Sequence, residues 1–167
     1  MQNDHNTIFL NWLDLHKGLI YKVARAFTRS TDDREDLFQE ILLQLWISVP
    51  RFRQEAKDAT WIYRVAFNTA VVWNRKDKKH KKLKSVTWIE PPANPGADEN
   101  TEQIENLYRA IRQLEPLDAS LVLMSLEGLS YDQMADVLGI TQNHVGVKLN
   151  RAKKVLAEKM KGLSDEF

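Results

Sequence analysis

Residues 129–160 read LSYDQMADVLGITQNHVGVKLNRAKKVLAEKM, and the fold is decided by how this stretch is understood. It encodes two helices joined by a tight turn. Ser130, with Gln133 three residues on, has the form of a capping box and marks a helix start. Met134, Val137 and Leu138 recur at helical spacing and give that helix its buried face. Gly139 stops it, because glycine accepts the left-handed backbone needed just past a helix end. Ile140 plugs the corner, and Thr141 caps a second helix that carries Val145, Leu149, Ala152, Val155 and Leu156 inward. The opposite face carries Gln142, Asn143, His144, Lys148, Arg151 and Lys154. Amide and basic groups at the start of the second helix of such a pair are what reading a DNA major groove requires. The same shape also serves as a plain helical hairpin with a solvated face, so the rest of the chain has to choose.

Working upstream, Ile104, Leu107, Tyr108, Ile111 and Leu114 make an amphipathic helix, and Pro116 suits the first turn of the next. That next helix, 117–127, is expected to bury Leu121, Val122, Met124 and Leu126 and to end at Gly128. Together with the hairpin this gives a four-helix domain of about 65 residues, small but feasible. Before it lies 85–100, SVTWIEPPANPGADEN, whose Pro91, Pro92, Pro95 and Gly96 forbid a regular helix. This segment reads as a linker. The expected division is therefore a first domain over 1–84, a linker over 85–100 and a second domain over 101–167, all-α throughout.

The first domain has three helical patterns. Apolar residues from Ile8 to Phe27 recur at threes and fours, and Leu15 is counted among them. Ser30, Thr31, Asp32 and Asp33 break that helix and cap the next, which runs from about Arg34 to Ser48. In it Leu37, Phe38, Ile41, Leu42, Leu45 and Trp46 can face a core, while Asp36, Gln39, Glu40, Leu43 and Gln44 form a mixed acidic and apolar surface. A polar loop, 50–58, precedes a third helix from about Ala59 to Lys82, which buries Trp61, Ile62, Val65 and Ala66 and then becomes a lysine run.

Charge separates the halves. Residues 1–84 hold 16 lysines and arginines against 10 acids, whereas residues 101–167 hold 8 against 10. The basic excess, mostly between Arg75 and Lys84, predicts a polyanionic partner for the first half. Phe52, Trp61, Tyr63, Phe67, Trp73 and Trp88 interleave with it, and bases with aromatics are the ingredients of single-strand binding. Stripes at helical spacing are more often packing.

Other chemistries find no footing. There is no cysteine, which excludes disulfide and thiolate chemistry, and His5, His16, His80 and His144 are scattered without ligand spacing. No glycine-rich phosphate loop or nucleophile elbow occurs. No cofactor, metal or catalytic residue is expected. The opening residues lack a basic leader with an apolar run, and no stretch approaches the roughly 20 apolar residues of a membrane span, so a cytoplasmic protein is expected.

Taken together, DREDLFQEILLQLW, WIYRVAFNTAVVWNRK and LEGLSYDQMADVLGITQNHVGVKLNRAKK, in this order, resemble bacterial sigma factors. The extracytoplasmic-function (ECF) class, which keeps regions two and four of the family, is the nearest likeness. The resemblance implies an alternative sigma factor that directs core RNA polymerase to promoters and performs no catalysis itself. It implies a polymerase-gripping surface at Asp36, Gln39, Glu40, Leu43 and Trp46. It implies opening of the minus-ten element by Phe52, Arg53, Thr60, Trp61, Arg64, Asn68, Arg75 and Lys76. At the minus-thirty-five element it implies a recognition helix using Thr141, Gln142, Asn143, His144, Lys148 and Arg151. Core RNA polymerase, promoter DNA and an anti-sigma factor are the implied partners. The sequence departs from the family at Gly146 and Val147, where lysine and serine are usual, and at His144, where threonine is. Two other readings remain open: a stand-alone helix-turn-helix regulator, which would bind duplex DNA tightly by itself, and a helical module that binds protein only.

Overall fold

A computed structural model describes residues 2–55, 57–84 and 99–164, without the side chains of 2, 3, 78, 80–84 and 164. Seven α-helices and one short 3-10 turn account for the regular structure of the described residues, and no strand occurs among them. The helices are α1 (Gln2–Phe27), α2 (Thr31–Ser48), α3 (Asp58–Lys84), α4 (Glu99–Arg112), α5 (Pro116–Leu126), α6 (Tyr131–Leu138) and α7 (Gln142–Ser164).

The first lobe is a three-helix bundle. Trp12, Leu19, Ile20, Val23 and Phe27 on α1 meet Leu37, Ile41 and Leu45 on α2 and Ile62, Ala66, Phe67 and Ala70 on α3, all buried. Each set repeats at threes and fours, so each helix presents one apolar stripe to the other two. The caps follow from the residues expected to supply them: Ser30 Oγ accepts from the Asp33 amide at 3.1 Å and opens α2. Pro50 converts the end of α2 into the 3-10 turn Val49–Arg51. Ser48 Oγ there donates to the Leu45 carbonyl at 2.8 Å and accepts from Trp61 Nε1 at 3.0 Å, tying α2 to α3. Burial pushes the Tyr63 hydroxyl up to about 12, with the Glu127 carboxylate adding to the shift.

The second lobe is organised around α5, whose residues 119–124 are all buried. A short helix apolar on every side belongs at the centre, and α4 and α7 pack around it. The hairpin is built as the sequence predicts. Ser130 Oγ accepts from the Gln133 amide at 3.2 Å and Gln133 Oε1 from the Ser130 amide at 2.8 Å, a complete capping box. Gly139 takes φ 68° and its amide donates to the Ala135 carbonyl at 2.8 Å. Thr141 Oγ1 accepts from the His144 amide at 3.1 Å, capping α7.

Several boundaries and burials differ from expectation. α1 starts at Gln2 rather than near Ile8, since nothing in residues 2–7 breaks a helix. α4 starts at Glu99, so the last two residues assigned to the linker are helical; Glu99 and Glu102 suit the positive end of a helix. The rest of the expected linker, 85–98, lies outside the described residues. Leu15 is 73% exposed, because the buried stripe of α1 passes through Trp12, Leu19 and Ile20 and leaves it to one side. Leu126, at the last turn of α5, and Val155, beside the stripe of α7 that Leu156 continues, are exposed as well.

The lobes meet along α1 and α3, with α4 and α5 against α1 and with α5 and α6 against α3. The contact carries much charge. Lys22 Nζ lies 2.7 Å from Glu127 Oε1, a bond that holds the lysine above its ordinary range. Arg25 pairs with Glu105 and stacks its guanidinium 4.2 Å over the ring of Tyr108, while Arg112 Nε donates to the Arg25 carbonyl at 3.2 Å. From α3, Arg64 Nη2 donates to the Asp136 carbonyl of α6 at 2.7 Å.

Candidate functional site

Three surfaces carry the residues singled out by the sequence. On α2, Asp36, Gln39 and Leu43 form an exposed spine at three- and four-residue spacing, with Leu43 49% exposed. Ile47 extends it by one more turn and is also exposed, a member that sequence reasoning passed over although the period points to it. Glu40 stands beside the spine and accepts from Gln44 Nε2 at 3.0 Å. Trp46 is turned away from it: its ring meets Phe9 edge-on at 5.3 Å and fastens α2 to α1. The spine is thus acidic and amide-bearing at one end and apolar at the other, a surface suited to another protein rather than to nucleic acid.

The second surface lies along α3. Glu40 and Gln44 of α2 face Asn68, Thr69, Val72, Trp73 and Lys76 across a groove of about 450 Å³. Of the aromatics picked out by the sequence, Phe52, Trp61, Tyr63 and Phe67 are engaged in packing: Phe52 sits between Trp12 at 5.3 Å and Trp61 at 5.6 Å, and Tyr63 stacks on Phe67 at 6.1 Å. Trp73 also packs partly against the core, and the part of it left open lines the groove beside Lys76 and Asn68. Trp88 lies outside the described residues, as do the side chains of Lys78, Lys81, Lys82 and Lys84. Arg53, Arg75 and Lys76 are exposed and Thr60 is half-buried. Asn68 and Arg75 also line a cleft of about 650 Å³ formed with Glu115, Pro116 and Lys148 of the second lobe.

The third surface is α7. Val145, Leu149 and Ala152 are buried, so the outward face is Asn143, Val147, Asn150, Arg151 and Lys154, flanked by His144. Gln142 is exposed, but its Nε2 donates to Asp132 Oδ1 at 2.8 Å and is held toward α6. Lys148 turns toward α5, with Nζ 3.4 Å from Asp118 Oδ1. Thr141 serves as the cap. Among the described residues no three His, Asp or Glu side chains gather as metal ligands, and no helix is long and apolar enough to cross a membrane.

Two helical lobes, one ending in a capped helix-turn-helix with an exposed amide and basic face, make this an all-α protein of the helix-turn-helix class with a second helical bundle. The comparisons place it further. Residues 12–80 match the family model of sigma-70 region 2, and residues 104–156 that of sigma-70 region 4. The ECF RNA polymerase sigma-E factor of Haemophilus influenzae is 27% identical over 159 residues, covering 85% of this chain and 83% of that protein. RNA polymerase sigma factor YlaC of Bacillus subtilis is 26% identical over 159 residues, covering 88% and 90%. Among solved structures, the sigma factor RpoE in complex with the anti-sigma factor NepR, from Bartonella quintana, superposes with a TM-score of 0.75 at 21% identity, over 92% of this chain and 96% of that one. CnrH in complex with the cytosolic domain of CnrY gives 0.67 at 16%, over 92% and 88%. The chain belongs to the sigma-70 family of RNA polymerase sigma factors, in its ECF class. A stand-alone regulator would leave the region 2 match over residues 12–80 without a role.

Proposed function

We propose that this chain is an alternative sigma factor, acting in the cytoplasm, that binds core RNA polymerase, selects promoters and opens them. The observation that carries the reading is the coexistence, in one chain and in family order, of the α2 spine and the α7 reading face. Asp36, Gln39 and Leu43, extended by Ile47 and flanked by Glu40, form the polymerase contact. The α3 groove, with Asn68, Trp73 and Lys76 and with Arg64 and Arg75 near it, holds the melted minus-ten strand. There an aromatic face accepts an unstacked base and the cations hold the backbone. The face of α7 around Asn143, His144 and Arg151 reads the minus-thirty-five element in duplex form. Transcription chemistry belongs to the polymerase, and this chain supplies binding and choice. Polymerase-mediated tethering of the lobes makes their weak DNA contacts bivalent, which is how a near-neutral second lobe holds its site.

One structural neighbour, RpoE, is a sigma factor in complex with the anti-sigma factor NepR, and the other, CnrH, is in complex with the cytosolic domain of CnrY; the exposed apolar part of the α2 spine suits a cover of the same kind here. The reading is tested by co-purification with bacterial core polymerase. Wild type is expected to be retained, and Asp36→Lys with Leu43→Asp to lose at least tenfold in retention while its helical circular dichroism is unchanged. Equal retention of the variant would remove the α2 spine from the account.

A further inference from the structure

Val147 stands at the centre of the outward face of α7, 51% exposed, one turn beyond Asn143 and one turn before Arg151. Nothing in the fold accounts for an apolar residue there. The core of the hairpin is filled by Val145, Leu149 and Ala152, and Val147 lies on the other side of the helix. Local preference does not account for it either, since a β-branched residue is a poorer helix former than the alanine, lysine or glutamine an exposed position would otherwise hold. Its neighbour Gly146 is poorer still, so two successive positions on this helix are occupied against helical propensity. Gly146 also leaves no long side chain on the flank of Val147; that space is taken by the ring of Tyr131, itself 46% exposed. The middle of the reading face is therefore a low apolar step, with an amide before it and a guanidinium after it.

In a major groove the one apolar feature that a base pair presents is the 5-methyl group of thymine, and small apolar side chains are its partners. An amide one turn earlier is the partner of adenine N6 and N7. We propose that Val147 is a specificity-determining residue that packs on a thymine methyl group in the upstream promoter element. The inference rests on α7 reading duplex DNA, and its test is arranged to fail separately from that reading.

The experiment uses the full chain with bacterial core polymerase on a promoter it transcribes from a discrete start. Thymines of the upstream element are replaced one at a time by deoxyuridine, which keeps every hydrogen-bonding group and removes only the methyl. Wild type is expected to lose about three- to fivefold in initiation at one thymine, on the scale of one buried methyl group. Val147→Ser, which removes both methyl groups and puts a hydroxyl in their place, should lose a similar factor on the thymine template and be indifferent to deoxyuridine at that same position. Transcription by wild type that is equal on every deoxyuridine template overturns the proposal while leaving the sigma reading standing. A variant that still senses the same methyl as strongly as wild type overturns it too. Absence of discrete initiation on any template is instead a failure of the underlying reading.

Discussion

At Gly146 a single missing side chain changes what the recognition helix can be. A Cβ built there would lie 3.3 Å from Cε2 of Tyr131, tighter than ordinary contact, so the glycine is where the α6 tyrosine leans against α7. The backbone at Gly146 is helical and gains nothing from glycine's freedom. Alanine removes the mid-helix glycine penalty of about 1 kcal/mol. The opposing cost is small, because Tyr131 is a half-exposed ring that can yield by a few tenths of an ångström. Gly146→Ala is therefore expected to raise stability by about 0.5–1 kcal/mol, seen as a melting temperature higher by about 1–4 °C. A lower melting temperature in calorimetry would mean the ring is fixed more firmly than its exposure implies. Residue roles were only partly legible in the sequence for the same reason. That Gln142 is held by Asp132, that Lys148 turns to Asp118, and that Trp46 packs on Phe9 depend on which neighbour each side chain finds. Local spacing says nothing of those neighbours.

Elements were legible where local chemistry alone sets them. Ser130, Gln133, Gly139 and Thr141 each act within three or four residues, and all four do what their residue types predict. Burial at element ends was not, because Leu126 and Val155 lie where a stripe runs past the neighbouring helix. The period of α7 already contained the outward position of Val147 and that of α2 the position of Ile47. Neither is a charged or amide residue, the types that mark a surface in a sequence, so Ile47 carried no such mark and Val147 stood out only as a departure from the family. The capping box gives a quantitative expectation for the hairpin. Ser130→Ala removes the oxygen that accepts from the Gln133 amide and should cost about 1 kcal/mol. The urea midpoint is expected to fall accordingly, and an unchanged midpoint would show that α6 is held by packing alone.

Across the whole molecule the two lobes touch, and that contact bears on function. Arg64 of α3 bonds to α6, so the helix proposed to hold the melted strand and the helix-turn-helix are adjacent. Minus-ten and minus-thirty-five elements differ in position by more than two turns of duplex, roughly 70 Å at 34–36 Å per turn. One chain cannot serve both elements while Arg64 holds Asp136, so the lobes must part on the promoter. The 14 residues 85–98, fully drawn out, span at most about 50 Å, and α3 and α7 supply the remaining reach. The ties that must break are of the weak kind: the Lys22–Glu127 and Arg25–Glu105 pairs are partly exposed and screened by salt. Lys22→Glu with Glu105→Lys places like charges across both contacts. Small-angle scattering should show the radius of gyration rising by several ångströms from the roughly 15 Å of a compact chain of this length. An unchanged radius would mean the remaining contacts of α1 with α4 and α5 hold the lobes by themselves.

As a sigma factor, this chain gives RNA polymerase its choice of promoter. Run-off transcription of fragmented bacterial genomic DNA, with core polymerase alone and with the chain added, reads that choice over many promoters at once. Discrete start sites are expected that appear only with the chain, share an upstream element, and weaken when Asn143 and Arg151 are replaced by alanine. A product pattern that the chain leaves unchanged would contradict that role.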